Sequence, residues 1–213
     1  LTEFTNQAGV TLVHAVIDAI KTNRNYLSEI DGAVGDGDHG INMSKGFTLA
    51  EAELKESMNM GDGFMLISTI LVSRIGGSMG PLYGSFFKGL SAAANHSESI
   101  DKHKMFEMLN TAYRNISELT AAKIGDKTLI DVLEPAVSAY KRELDNDGSF
   151  EECLNSMLIA AGEGLEATKH MVAKLGRGSR LGTRTLGHQD AGATSCYIIL
   201  KALAKTATGL MNE

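Results

Sequence analysis

Three aspartates stand close together in the stretch DGAVGDGDHG, at positions 31, 36 and 38. Carboxylates on a glycine-rich turn are hard oxygen donors. Mg²⁺ is commonly held by one or two of them, with water and substrate phosphate oxygens completing its shell. Residues 35–40, GDGDHG, also satisfy G-x-G-x-x-G, a pattern that brings bare backbone against a pyrophosphate when it follows a β-strand. Two features speak against that use. Upstream, Val13, Val16, Ile17, Ile20, Arg24 and Leu27 recur at helical spacing, with Arg24 alone breaking the apolar stripe, so the preceding element reads as a helix. Asp36 and Asp38 would also repel a phosphate unless a divalent cation stood between them. An EF-hand fails as well, because counting from Asp36 puts Ile41 and Phe47 where that loop needs Gly and Glu. Two readings remain: a metal loop, or a solvated turn whose aspartates cap helices. Asn42 and Ser44 follow closely enough to cap or to reach a phosphate.

Three further glycine-rich interruptions carry chemistry of their own. GGSMG at 76–80 precedes Pro81, so its glycines expose backbone N–H groups at a helix start, where anions bind; tight helix packing explains the small residues equally well. GDKT at 125–128 echoes the end of a Walker A motif, but the full G-x-x-x-x-G-K-[ST] is absent, and Asp126 is placed to cap the helix that follows. The segment LGRGSRLGTRTLGHQDAGATS at 175–195 bears Arg177, Arg180 and Arg184 with no acidic residue before Asp190. Arginines on such a loop can clamp phosphate or neutralise charge developing during phosphoryl transfer; a mobile basic turn or a protein-docking surface is the alternative. His188 reads as a structural residue or a catalyst.

The elements that position these loops are helices almost throughout. The chain has only two prolines and no sustained period-2 alternation, and spacing predicts helices near 2–30, 42–57, 62–75, 80–94, 101–120, 127–145, 150–172 and 190–211. The clearest stripe runs through Phe150, Cys153, Leu154, Met157, Leu158, Ala161, Leu165, Thr168 and Val172. The expected fold is all-α: a bundle or barrel of about eight antiparallel amphipathic helices, forming one domain over 1–213. Consecutive turns of such a bundle alternate between its ends, so glycine-rich turns sharing one end would build a single site.

Composition narrows the function classes. A net charge of −6 argues against nonspecific nucleic-acid binding and leaves anionic ligands to be attracted locally. Cys153 and Cys196 lie in apolar helical contexts and are expected to be buried free thiols in a reducing compartment. No apolar run approaches a membrane span and LTEFTNQAGV lacks the regions of a signal peptide, so the expected location is the cytoplasm. The ten methionines are read as an adaptable core.

Taken in order, GDGDHGINMSKGF, GGSMGPLYG, GDKTLIDVLEPA and GRGSRLGTRTLGHQDAGATS resemble the nucleotide-binding L subunit of dihydroxyacetone kinase, the DhaL type, over essentially the whole chain. The resemblance implies a barrel of eight antiparallel helices with an ADP/ATP site at one end. It also implies Asp31, Asp36 and Asp38 as ligands of Mg²⁺, taken as a pair of ions. His39, Gly40, Ile41, Asn42, Ser78, Met79, Leu129, Arg177, Asp190, Ala191 and Gly192 match its nucleotide contacts. Met79 and Ala191 depart from the family's usual Ser and Pro, which leaves the metal ligands untouched but alters the phosphate and base contacts. Arg177 becomes the residue expected to stabilise charge on the transferring phosphoryl group. In that family a separate K subunit holds dihydroxyacetone through a histidine hemiaminal. In its phosphotransferase-system branch a phosphohistidine M subunit recharges the bound ADP in place, and a free-standing chain of this length favours that branch. The same fold also implies two alternatives: an ATP-exchanging kinase subunit for a tetrulose or a carried fatty acid, and a noncatalytic nucleotide sensor that binds a transcription regulator.

Overall fold

The computed structural model describes residues 1–212. Among them are nine α-helices: α1 (Val10–Thr22), α2 (Arg24–Val34), α3 (His39–Glu53), α4 (Met60–Arg74), α5 (Met79–Ala94), α6 (Lys102–Ser117), α7 (Ile130–Asp145), α8 (Phe150–Ala167) and α9 (Ala191–Met211). Two three-residue strands, β1 (Glu3–Thr5) and β2 (Ser99–Asp101), pair antiparallel with Phe4 opposite Ile100. Strands this short carry no readable alternation, so their pairing was not visible in the sequence; both central side chains are buried in the helical core.

The predicted helix 2–30 is in fact a strand and two helices. Leu12, Val13, Val16, Ile17 and Ile20 face inward, but at Asn23 the backbone leaves the helix, and both its amide and its side-chain Nδ2 bond the Ala19 carbonyl. Arg24, the residue that interrupted the apolar stripe, opens α2. The stripe continued past it because the core continues, not because the helix does. At the other boundary in question, α8 ends at Ala167 and gives way to a 3₁₀ turn at Thr168–His170.

Helices α1, α3, α4, α5, α6, α7, α8 and α9 each pack on the next, and α9 returns to α1, closing a ring around one continuous core. Helix α2 lies outside the sequence of this ring, against α3 and α9. Residues 75–78 join α4 to α5 and residues 146–149 join α7 to α8, connections short enough to require antiparallel neighbours. The α7–α8 contact is close. Pro135, inside α7, has no N–H for the Asp131 carbonyl, and Gly164 of α8 passes so near that oxygen that a Cβ would collide with it.

Cys153 and Cys196 are free and buried, as expected. No helix among the described residues is long and apolar enough to cross a membrane. Counting along the ring, the connections α2–α3, α4–α5, α6–α7 and α8–α9 fall at one end, and they contain the four glycine-rich interruptions.

Candidate functional site

Those four connections enclose a cleft of about 600 Å³. Its acidic wall begins on α2, which runs far enough to place Asp31 in its last turn. Asp31 then accepts a 3.1 Å bond from the backbone N–H of His39, the first residue of α3, so one carboxylate ties the two helices across the intervening turn. Gly35 makes room for it: a Cβ at that position would lie 2.5 Å from Asp31 Oδ1. Asp38 occupies the N-cap position of α3, yet its side chain makes no capping bond. Asp36 is exposed. The three carboxylates each bring an oxygen within 4.8 Å of the others. Such a cluster of like charges is favourable only beside positive charge.

Part of that charge comes from across the cleft. A 3₁₀ segment at Arg177–Thr185, kinked at Gly182, carries Arg177, whose Nη1 contacts Asp36 and lies 3.5 Å from Asp38 Oδ2. Arg177 is the only one of the loop's three arginines that lines the cleft; Arg180 and Arg184 are exposed, and Arg184 bonds the Leu181 carbonyl. An all-oxygen set of carboxylates, open on its cleft side to water or phosphate, fits Mg²⁺ in kind.

Two helix N-termini face the same space. Asp190 caps α9 through a 2.8 Å bond from Ala193 N, leaving the first amides of that helix toward the cleft. Burial raises the Asp190 carboxyl to about 6, opposed by that amide and by the Lys127 ammonium. At the start of α3, His39 is buried, and its Nε2 lies 2.9 Å from Ser195 Oγ, which in turn is 2.6 Å from Tyr83 Oη. Tyr83 Oη also donates to the Gly192 carbonyl. Burial lowers the His39 pKa more than neighbouring Asp31 raises it.

Of the site residues expected from sequence, His39, Asn42, Ser78, Met79, Leu129, Arg177, Asp190, Ala191 and Gly192 line this cleft with the three aspartates. Gly40 and Ile41 do not. Gly40 is packed on α2 beside Arg24 and Ser28, and the Ile41 side chain is 48% exposed. Their amides belong to the first turn of α3, which has no intrahelical acceptors for them. Ser44 and His188 also lie off the cleft wall.

The turn at 125–128 is held differently from the expectation. Asp126 does not cap α7; it accepts from Lys123 N and pairs with Lys174 at 3.1 Å. Asp131, already inside α7, takes the Gly125 and Thr128 amides at 2.6 and 2.7 Å. Sequence reading also gave no role to Lys127, Tyr83 or Ser195. Lys127 stands in GDKT, a fragment too short to assign its lysine a role without the rest of a Walker A motif. Tyr83 and Ser195 carried no signal beyond ordinary helix positions.

A closed ring of helices with an acidic, glycine-walled cleft at one end, crossed by an arginine and faced by helix N-termini, defines a class of helical phosphate-ligand sites. The chain belongs to the DAK2 domain family, whose profile matches residues 33–205. It is 35% identical over 191 residues to the ADP-binding subunit DhaL of a PEP-dependent dihydroxyacetone kinase from Listeria innocua, covering 89% of this chain and 90% of that one. It is 33% identical over 192 residues to the corresponding Escherichia coli subunit, covering 89% and 91%. Among solved structures, the dihydroxyacetone kinase of C. freundii in complex with AMP-PNP and Mg²⁺ superposes with a TM-score of 0.69 at 26% identity, over 92% of this chain. This chain spans 33% of that longer protein.

Proposed function

We propose that this chain is the nucleotide-binding subunit of a PEP-dependent dihydroxyacetone kinase, delivering a phosphoryl group from bound ATP to dihydroxyacetone held on a separate K subunit. The observation that carries this reading is the convergence of Asp31, Asp36 and Asp38 with Arg177 in one cleft. The similarity to free-standing ADP-binding subunits along most of both chains supports it, as does the AMP-PNP and Mg²⁺ of the longer relative. The cleft's volume is in the range of small-molecule sites.

Asp31, Asp36 and Asp38 would hold a pair of Mg²⁺ ions. Bound there, they would supply the positive charge that lets nucleotide phosphates stand beside three carboxylates. The chain's own part is positioning and electrostatics. Amides at the starts of α3 and α9, including those of Gly40, Ile41, Ala191 and Gly192, receive anionic oxygens. Ser78, Met79 and Leu129 line the same cleft, Met79 and Leu129 beside Gly192, and would meet the rest of the nucleotide. Arg177, already over the carboxylates, stabilises charge as the γ-phosphoryl group leaves ADP and the acceptor hydroxyl oxygen bonds to phosphorus. The acceptor's proton leaves to a group outside this chain, and no nucleophile is needed on it. A phosphohistidine M subunit would return a phosphoryl group to ADP without nucleotide release.

The test is to purify the protein without added nucleotide, denature it, and identify by chromatography and metal analysis what is released. Near-stoichiometric ADP with magnesium is expected. An empty protein that exchanges MgATP freely would replace the phosphoprotein-dependent reading with an ATP-using kinase.

A further inference from the structure

Lys127 is 2% exposed, and its ammonium is surrounded by backbone carbonyls: Thr168 at 2.8 Å, Met171 at 3.2 Å, Thr185 at 2.6 Å and His188 at 2.5 Å. These carbonyls are not a random set. Thr168 and Met171 form one foot of the segment that carries Arg177; Thr185 and His188 form the other. The backbone at Lys127 is in the left-handed region, φ 63°, in a turn closed by the Asp131 carboxylate on Gly125 N and Thr128 N. The turn is fastened to the same segment by Lys174 N on the Asp126 carbonyl. Asp131 therefore fixes the turn, the turn presents the lysine, and the lysine draws both feet of the arginine segment together.

Although Lys127 borders the cleft, an ammonium has three N–H donors and this one faces four acceptors, so none is left for a phosphate. Its influence on the site runs through the backbone it holds. We infer that Lys127 is the positioning residue for Arg177, pinning the feet of the 172–184 loop and thereby fixing where the guanidinium stands over Asp36 and Asp38. This rests on the proposed role of Arg177 in phosphoryl transfer. The positional coupling itself is independent of that role.

The experiment compares Lys127→Gln and Lys127→Met with the parent protein, alone and combined with Arg177→Ala. Circular dichroism and thermal melting report the bundle. Trypsin cleavage after Arg177, Arg180 and Arg184 reports the loop. Transfer to dihydroxyacetone, assayed with the partner subunits supplied, reports the site. The expected result is a retained helical spectrum, loop cleavage at least about tenfold faster, and kcat lowered at least about tenfold with a smaller change in MgADP affinity measured on nucleotide-free protein. In the Arg177→Ala background the lysine substitutions should slow transfer less than about twofold, because coupled residues are not additive. Equal slowing in both backgrounds would overturn the inference, as would unchanged loop cleavage in a folded variant. Loss of the helical fold in both variants would overturn it too, since the ammonium would then be supporting the bundle. If Arg177→Ala alone leaves transfer unaltered, the role of Arg177 fails, while the cleavage measurement still decides whether Lys127 holds the loop.

Discussion

Arg177, on the segment between α8 and α9, contacts Asp36 and reaches to 3.5 Å from Asp38, both on the turn between α2 and α3. This cross-cleft relationship joins the most basic loop of the chain to its most acidic one. All three side chains are partly open to solvent, so the ion pairs themselves contribute little to stability, and surface pairs are typically worth about 0–1 kcal/mol. Their significance is placement. Arg177→Ala should therefore leave the melting temperature nearly unchanged and slow phosphoryl transfer at least about a hundredfold, with MgADP affinity altered less than about tenfold. Steady-state kinetics with calorimetry would check it; a loss confined to affinity would make Arg177 a binding residue only.

Gly35 gives Asp31 its position. A methyl group at 35 would stand 2.5 Å from Asp31 Oδ1 and push the carboxylate off its bond to the His39 amide. Gly35→Ala is expected to keep the helical fold and weaken magnesium-dependent ADP binding at least about tenfold, a loss of about 1.4 kcal/mol. Isothermal titration with MgADP reads this directly, and wild-type affinity in the variant would remove Gly35 from the site's design.

Much of the bundle was legible in the sequence because amphipathic stripes are local: Phe150 to Ala161 read as a helix, and it is one. The break at Asn23 was not legible, since the buried face continues across it. The acidic cluster could be read from spacing alone, but its meeting with Arg177 is a tertiary fact that a string of residues does not contain. Lys127 was hidden for the same reason. A lysine in a short turn usually faces water, and only the four carbonyls brought around it by distant segments show why this one does not.

Ser195 links His39 to Tyr83 in a buried row. Ser195→Ala leaves His39 Nε2 without its partner, an unsatisfied buried group worth about 1–3 kcal/mol. At roughly 2–4 °C per kcal/mol for a chain of this size, the melting temperature should fall by several degrees. Tyr83→Phe should cost less, about 1 kcal/mol, because Ser195 keeps both His39 and the Gly192 carbonyl. A larger loss for Tyr83→Phe than for Ser195→Ala would contradict this order.

Asp190 makes stability depend on pH in a defined direction. Its carboxyl is raised from the ordinary 3.8 to about 6, chiefly by burial, so between these values the folded protein holds a proton that the unfolded chain releases. The stabilisation this gives is complete below about pH 4 and is lost as pH rises through 6. Asp190→Asn keeps an acceptor for Ala193 N and removes the titration. The stability of the parent relative to this variant, from urea unfolding of metal-free and nucleotide-free protein, should fall by on the order of 2 kcal/mol between pH 4 and pH 7. A difference that stays constant across that range would show that Asp190 does not titrate there.

The most direct test of the central claim is calorimetric titration of ADP into nucleotide-free protein, with Mg²⁺ and with chelator, for the parent and for Asp36→Asn combined with Asp38→Asn. The three carboxylates are within 4.8 Å of one another, so binding through metal predicts tight ADP binding only when Mg²⁺ is present. It also predicts at least about a hundredfold weaker binding in the double variant, a loss of about 2.7 kcal/mol. Unchanged affinity in that variant, or ADP binding indifferent to Mg²⁺, would contradict it.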